Sequence, residues 1–322
     1  MRRDIVVIGG SAGALDPLKE IAAGLPVELP AAVLAVLHMP ASARSSLVAI
    51  LNRVGGPHAV IPRDGDPVRP GYIYVPTPDH HLELVDSRIA VTKTPRINGV
   101  RPAVDVLFRS AAAAYGPRVV GIVLSGGLDD GSAGLAEICA AGGAAIVQSP
   151  DEALVDSMPR NAIELAHPDD VLPAAEISAA IARLIGADAP AEQPAYEGEG
   201  GLRMAPVGAQ DTPGEVTGIT CPDCHGSIWL QTGKGGDVAF TCRVGHSYSP
   251  ESFFEIQSEN VENALWAGVR SLEEQASLAG VMASRSTKFG DADTAGRYEA
   301  RRRIANDNAE VLRKLIVERP DA

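Results

Sequence analysis

Basic charge is scarce in this chain of 322 residues. Lys and Arg number 28 against 41 Asp and Glu, the net charge is −13, and no dense basic patch occurs. That balance argues against nucleic acid as the main partner. No apolar run approaches the ~20 residues needed to span a membrane as a helix. A signal-peptide pattern is lacking as well, since Arg2-Arg3-Asp4 leads straight into an apolar strand. Cysteine is sparse, and three of the four cysteines fall in one late segment with metal-ligand spacing, which speaks against a disulfide framework. The default expectation is therefore a cytoplasmic protein. What is present suffices for a large core: 45% of residues are hydrophobic, and the length accommodates one α/β domain plus a smaller module.

From 1 to 186 strands and helices alternate. Ile5-Val6-Val7-Ile8 and Ala31 through Leu37 are apolar, largely β-branched runs of the kind buried on both faces of a parallel sheet. Leu47, Ile50, Leu51 and Val54 mark a helix over 42–54. Three short runs follow (Tyr72 to Val75, Leu82 to Val85, Ile89 to Val91), bounded by Gly, Pro and Asp-Ser turns, and read as inserted hairpin strands. The alternation resumes with a helix over 103–115, a strand from Val119 to Leu124, a helix through Leu135 and Ile138, a strand from Ala144 to Val147, and a helix over 174–185. The expected fold is a doubly wound, mostly parallel α/β sheet with an inserted hairpin.

Residues 187–216 are rich in Ala, Pro, Gly and Glu without periodicity, and read as a flexible linker. A cysteine-bearing module over 217–250 and a helical hairpin over 251–318 follow. Phe254, Val261, Leu265, Leu272, Ala276 and Ala279 form the expected stripe of the first helix, and Ile304, Val311 and Leu315 that of the second. Such stripes would permit dimerisation.

The first strand ends in Gly9-Gly10-Ser11-Ala12-Gly13, with Asp16-Pro17 opening a helix behind it. Strand, glycine-flanked serine and helix fit a nucleophile elbow, with the amide of Ala12 as the natural oxyanion donor. A dinucleotide fingerprint would need glycine where Ser11 and Ala14 stand and an acidic residue after the second strand, where His38 is found. His38 follows that strand directly, at the edge where α/β sheets bind ligands. His58, His80, His81 and His167 lie in loop or hairpin contexts and are weaker candidates for a base. A carboxylate to orient the imidazole is offered by Asp129 or Asp130 after the strand over 119–124, and spacing does not choose between them.

Gly10-Ser11-Ala12-Gly13, His38-Met39-Pro40, and Leu124-Ser125-Gly126 through Asp129-Asp130-Gly131 resemble, in order, the catalytic domain of CheB-type chemotaxis receptor methylesterases. Arg101-Pro102-Ala103-Val104-Asp105-Val106-Leu107-Phe108, the Ala141-Gly142-Gly143 turn, Gln148 and Ser157-Met158-Pro159 extend the resemblance over about 4–185. It implies a serine esterase fold with Ser11 as nucleophile, His38 as general base and Asp130, rather than Asp129, as orienting carboxylate. It also implies hydrolysis of glutamate γ-methyl esters on a methylated chemoreceptor, glutamine deamidation by the same chemistry, and no catalytic cofactor. Two positions depart from the family: Ala14 replaces a second glycine, and Gly126-Gly127-Leu128 replaces a Gly-Met-Gly turn whose methionine lies near the substrate. Family members also carry an N-terminal receiver domain. With the first strand starting at residue 4, none is expected here, nor is control by phosphorylation in cis.

Cys221-Pro222-Asp223-Cys224 and Cys242-Arg243-Val244-Gly245-His246 provide C-x2-C and C-x3-H pairs. Cys221, Cys224, Cys242 and His246 are the expected ligands of a closed, structural zinc site, because so short a module has little core of its own. Cys139, on a helix, reads as a small buried hydrophobe. The competing functional reading is a signalling adaptor with a vestigial esterase domain, docking partners through its zinc and helical region. A nucleotide-binding Rossmann protein is the third.

Overall fold

The computed structural model describes residues 2–40, 46–186, 214–232 and 238–318. Two units are distinguished, Met1–Phe253 and Phe254–Ala322. The first is built on β1 (Ile5–Gly10), α1 (Leu15–Gly24), β2 (Ala32–Leu37), α2 (Leu47–Val54), β3 (His58–Val60), β4 (Tyr72–Tyr74), β5 (His81–Val85) and β6 (Arg88–Thr92). It continues with α3 (Val104–Tyr115), β7 (Val119–Val123), α4 (Ser132–Ala140), β8 (Ala144–Gln148), α5 (Ser157–Ala166), β9 (Asp170–Leu172) and α6 (Ala174–Gly186).

Seven strands form one sheet in the order β3-β4-β2-β1-β7-β8-β9, and every pairing in it is parallel. β1, β2, β7 and β8 are buried along their whole length, as uninterrupted apolar runs require when helices cover both faces. One core packs Leu18 and Ile21 of α1, Leu51 of α2 and Ile177 and Ile181 of α6 against Val6, Ile8, Val33 and Ile122. The other packs Leu107 and Phe108 of α3, Leu135 and Ile138 of α4 and Met158 of α5 against Ile5, Val7, Val123 and Val147. The chain runs outward from β1 through β2 and returns on the other side at β7. The carboxyl ends of β2, β1 and β7 therefore meet at the topological switch point, where open α/β sheets bind ligands.

β5 and β6 pair antiparallel as the expected inserted hairpin. Tyr72–Tyr74 departs from expectation: it is no hairpin strand but joins the main sheet as β4, between β2 and β3. Its consecutive residues Ile73 and Tyr74 are buried in opposite cores, the mark of a strand covered on both faces. β3 and β9, three residues each at the two sheet edges, are too short to give a pattern. The helix expected over 42–54 is seen as α2 from Leu47; 41–45 lie outside the described residues, as does 187–213 of the expected linker.

Beyond the linker, β10 (Glu215–Thr220), β11 (Ser227–Thr232), β12 (Val238–Cys242) and β13 (Ser247–Tyr248) form an antiparallel four-stranded sheet. It belongs to the first unit, which extends to Phe253. Phe253 stacks on Phe240 with ring centroids 4.7 Å apart and lies 5.4 Å from the ring of Tyr248, a small aromatic core.

The second unit holds α7 (Pro250–Lys288) from Phe254 onward and α8 (Ala292–Val317). Gly268 lies beside Leu312, Gly280 beside Arg302, and Glu273 pairs with Arg313, so the helices run antiparallel. The seam keeps Ala276 and Ala279 of the expected stripes and departs from the rest. Ala276, Ala279 and Ala283 are buried with Ala305 and Ala309, whereas Phe254, Val261, Ile304, Val311 and Leu315 are exposed. Small side chains let the helix backbones approach, and the larger apolar residues are left outside that contact. Among the described residues, no helix is long and apolar enough to cross a membrane.

Gly9 shows how tightly the centre is closed. A Cβ there would lie 2.1 Å from Val104 Cγ1, on a stiff β-branched side chain at the start of α3. Gly9→Ala should therefore lower stability by about 1–3 kcal/mol, measured as a fall in the urea midpoint at unchanged slope.

Candidate active site

Ser11, Ala12 and Gly13 form the turn between β1 and α1. Ser11 N–H donates to the Ser125 carbonyl (2.9 Å), and Ala14 N–H closes the turn on the Ser11 carbonyl (3.1 Å). Gly13 has φ +83°, which favours glycine, and a Cβ on Gly126 would lie 2.9 Å from Ser11 Cβ. The floor beneath is a fixed network. The single Ser125 Oγ–H faces the carbonyls of Ala12 (2.8 Å) and Val155 (3.1 Å), and Ser125 N–H donates to Gln148 Oε1 (2.8 Å). Among the described residues, nothing engages the Ser11 hydroxyl or the exposed Ala12 amide. Gly127 faces open space: a Cβ there meets nothing within 4 Å.

His38 follows β2, its amide bonded to the Gly10 carbonyl (3.0 Å), so its backbone abuts the residue before Ser11. Its Nε2 lies 2.7 Å from Asp130 Oδ2. A carboxylate only accepts, so Nε2 carries the proton and Nδ1 is left as the acceptor. Asp130, after β7, is buried at 2% exposure. Oδ2 also accepts from Val104 N–H (2.6 Å); Oδ1 accepts from Asp105 N–H (3.2 Å) and Asn98 Nδ2 (3.1 Å). Val104 and Asp105 are the first residues of α3, whose free amides and dipole favour an anion at that spot. Burial works to raise the Asp130 carboxyl. The hydrogen bond and charge of His38, with the Val104 and Asn98 donors, outweigh it, and the carboxyl titrates below the usual range.

Asp105 returns the arrangement. Its Oδ1 accepts from Gly131 N–H (3.1 Å) and Gly134 N–H (2.7 Å) at the start of α4, so each helix opens on a carboxylate carried by the other's approach. Burial pushes Asp105 up to about 7, opposed by Arg109 and reinforced by Asp130. Asp129, which spacing could not separate from Asp130, points elsewhere: its Oδ1 accepts from the hydroxyls of Ser249 and Ser252, each at 2.8 Å. Burial raises its carboxyl against those two hydrogen bonds.

The other histidines do not converge on Ser11. His81 is fully buried on β5; Nδ1 accepts from Ala103 N–H (3.2 Å) and Nε2–H donates to the Pro95 carbonyl (3.1 Å). His80 bonds the Pro78 carbonyl, His58 packs edge-on to Tyr72, and His167 ends α5 in the left-handed conformation. A cavity of about 310 Å³ opens beside His38, lined by Met39, Pro40, Arg96, Gly99, Val100 and Arg101. Arg101 is held by Asp79 (2.7 Å) and the Thr94 carbonyl.

With this geometry in view, known proteins were compared. A sequence profile of the CheB methylesterase family matches residues 6–181, more than half of the chain. The chain belongs to the CheB methylesterase family. A protein-glutamate methylesterase/protein-glutamine glutaminase of Symbiobacterium thermophilum is 40% identical over 186 residues, 57% of this chain and 51% of that protein. A second such protein, from Pseudomonas aeruginosa, is 37% identical over 181 residues, 55% and 52% respectively. The crystal structure of the Thermotoga maritima CheB methylesterase catalytic domain superposes with a TM-score of 0.55 at 33% identity, covering 57% of this chain and all of that one. The chain spans about half the length of the curated relatives it matches.

The cysteine segment lies outside the CheB match. Cys221, Cys224, Cys242 and His246 bring their donor atoms within 4.8 Å of one another. Cys224 and Cys242 Sγ are 3.6 Å apart, and His246 Nδ1 is 3.6 Å from Cys221 Sγ and 3.4 Å from Cys242 Sγ. Tetrahedral zinc would set about 3.8 Å between thiolates and about 3.6 Å between thiolate and imidazole, so the donor set is compatible with zinc. Cys139 is half-buried on α4, its thiol pushed up to about 11 by burial.

Sequence reading missed Asn98, Ser249 and Ser252 around the two aspartates, and Asp105 entered it only within the Arg101 to Phe108 stretch, without a role. Asn98-Gly99 carried the signal of a turn and Ser249-Pro250 that of a helix start.

Burial depresses the His81 pKa to about 4 from 6.5, against the Pro95 hydrogen bond and the charge of Asp130, with Arg101 adding to the fall and Asp79 opposing it. A histidine neutral when folded contributes its full stability above its unfolded pKa and loses it as pH falls toward 4. Asp105 titrates in the opposite sense, so the contribution is read by difference. The gap in thermal midpoint between wild type and His81→Gln should narrow steadily from about pH 7 to about pH 4.

Proposed function

We propose that this protein is a protein-glutamate methylesterase, hydrolysing glutamate γ-methyl esters on a methylated chemoreceptor or chemoreceptor-like protein. Its family membership supports the reaction class. The observation that carries the reading is the 2.7 Å bond from His38 Nε2 to buried Asp130, one strand-end away from the Ser11 turn. The proposed roles are Ser11 nucleophile, His38 base, Asp130 orienting carboxylate and Ala12 amide oxyanion donor.

His38 Nδ1 takes the Ser11 proton as Oγ attacks the ester carbonyl. Negative charge builds on the carbonyl oxygen, and the Ala12 amide would receive it. Asp130, held anionic by α3, stabilises the imidazolium without accepting its proton. His38 then protonates the leaving methoxide, methanol departs, and water hydrolyses the acyl-enzyme by the same route reversed. Ammonia leaves instead of methanol when the substrate is a glutamine side chain, the second activity in the relatives' names.

The substrate would be the cytoplasmic helices of a membrane receptor, and the protein a cytoplasmic one without a catalytic cofactor. Cys221, Cys224, Cys242 and His246 would hold a structural zinc, and the exposed Ile304, Val311 and Leu315 of α8 offer a surface for dimerisation.

Ser11→Ala should reduce methanol release from methylated receptor by at least about 10³-fold while the circular dichroism spectrum stays unchanged. Fluorophosphonate should label Ser11 in wild type and not in His38→Ala. Retained activity in Ser11→Ala overturns the reading. For the metal, elemental analysis should find one zinc per chain, and Cys224→Ser should lower that content severalfold.

A further inference from the structure

The four-stranded cysteine module does not stand apart from the active site. It is joined to it by the loop at 96–100 and by the turn that bears Asp129. Asn98 N–H donates to the Ser247 carbonyl (2.8 Å), and Ile97 bridges to Ser247, so the loop at 96–100 adds on to β13. Asn98 Oδ1 accepts from Ser249 N–H (2.9 Å), and Arg96 pairs with Asp223 at 3.6 Å. These partners sit in or beside the metal knuckles: Asp223 between Cys221 and Cys224, Ser247 next to His246. The knuckle at Cys242 is itself closed by Cys242 N–H on the His246 carbonyl (2.9 Å) and Gly245 N–H on the Cys242 carbonyl (2.9 Å).

The other face of Asn98 is turned inward. It is 6% exposed, and Nδ2 donates to Asp130 Oδ1 (3.1 Å) with Asp105 Oδ2 at 3.4 Å. The amide thus accepts from the module with its oxygen and donates to the Asp130 carboxylate with its nitrogen. Its φ of +52° is one that asparagine tolerates better than most residues. A second grip holds the adjoining turn: Ser249 and Ser252 clasp Asp129 as Ser249 Oγ accepts Ser252 N–H (3.1 Å) at the start of α7. Asp130 is therefore held both by the first amides of α3 and by a residue that the module holds.

We propose that Asn98 is a positioning residue for the Asp130–His38 pair and that zinc in the Cys3His site, by ordering β13 and Ser249, sets how well Asn98 holds it. The proposal deepens the methylesterase reading and rests on it for its kinetic consequence. Its structural core is a metal-linked rearrangement at His38. The knuckles without metal lose the bonds that fix His246 and its neighbours. Asn98 then loses its anchor, and Asp130 Oδ1 loses a donor that no apolar neighbour can replace.

The test uses the full chain with ¹⁵N-labelled histidine, as purified, after chelation, and after reloading with zinc chloride. Ring ¹⁵N shifts report which His38 nitrogen carries the proton. Zinc-loaded wild type should show the Nε2–H form, chelation should mix the tautomers, and reloading should restore it. Asn98→Gly, which keeps the backbone conformation accessible, should show the mixed state with or without zinc. In the loaded protein it should lower kcat for methanol release about 10- to 100-fold at nearly unchanged KM. Asn98→Ser, too short to span Ser249 and Asp130 and adding no charge, should give the same zinc-insensitive His38 if the glycine variant folds poorly. His38 shifts that ignore zinc in wild type, or that respond to zinc equally in the Asn98 variants, overturn the proposal. A metal-linked His38 in a protein that releases no methanol and takes no fluorophosphonate at Ser11 supports the coupling and overturns the esterase reading instead.

Discussion

A buried carboxylate must be surrounded by donors, and the surroundings of Asp130 organise this half of the molecule. At 2% exposure it has no solvent to hydrate it, and an unpaired charge there would cost several kcal/mol. The first amides of α3, the ring of His38 and the amide of Asn98 supply the donors. Each comes from a different part of the chain. Meeting the needs of one carboxylate therefore fixes the start of α3 against the sheet, the loop after β2, and the 96–100 loop at once. Asp105 does the same for the start of α4, so the two helix openings are tied together across the site.

The parallel sheet makes the convergence possible. Ser11, His38 and Asp130 follow β1, β2 and β7, which are neighbours although β7 lies some eighty residues later in the chain. Crossover helices on both faces leave the carboxyl edge open only where the connections diverge. Close backbone approach completes it. Gly9 under Val104 and Gly126 under Ser11 leave no room for a side chain, whereas Gly127 opens outward.

The cysteine module adds a constraint that CheB relatives of the matched region do not define, since the family match ends at residue 181. Its aromatic core of Phe240, Tyr248 and Phe253 is small, and its strands are short. A module of that size takes its order from a metal or from a neighbour. Here a Cys3His donor set compatible with zinc and a packed neighbour are both present, and the contacts to the neighbour fall on residues that touch the two aspartates.

Much of the architecture was legible in the sequence because long apolar runs and glycine-serine turns report their surroundings locally. β1, β2, β7 and β8 announce burial on both faces, and the Ser11 turn announces its shape. The short edge strands β3 and β9, the membership of Tyr72–Tyr74 in the main sheet, and the place of Ala305 and Ala309 in the α8 seam were not legible. Three residues make no period, and alanine carries too little hydrophobic weight to outrank Ile304 or Val311. What the sequence by itself determined was the set of strand ends that bear Ser11, His38 and an aspartate pair, and the spacing of a Cys3His cluster. Spacing left the two aspartates equivalent and only the family resemblance preferred Asp130; tertiary structure turns Asp130 to the imidazole and Asp129 to Ser249 and Ser252, and it alone decided that Asn98 links Asp130 to the cysteine module. Those choices depend on the directions of side chains brought together by elements distant in sequence, and residue spacing carries no information about direction.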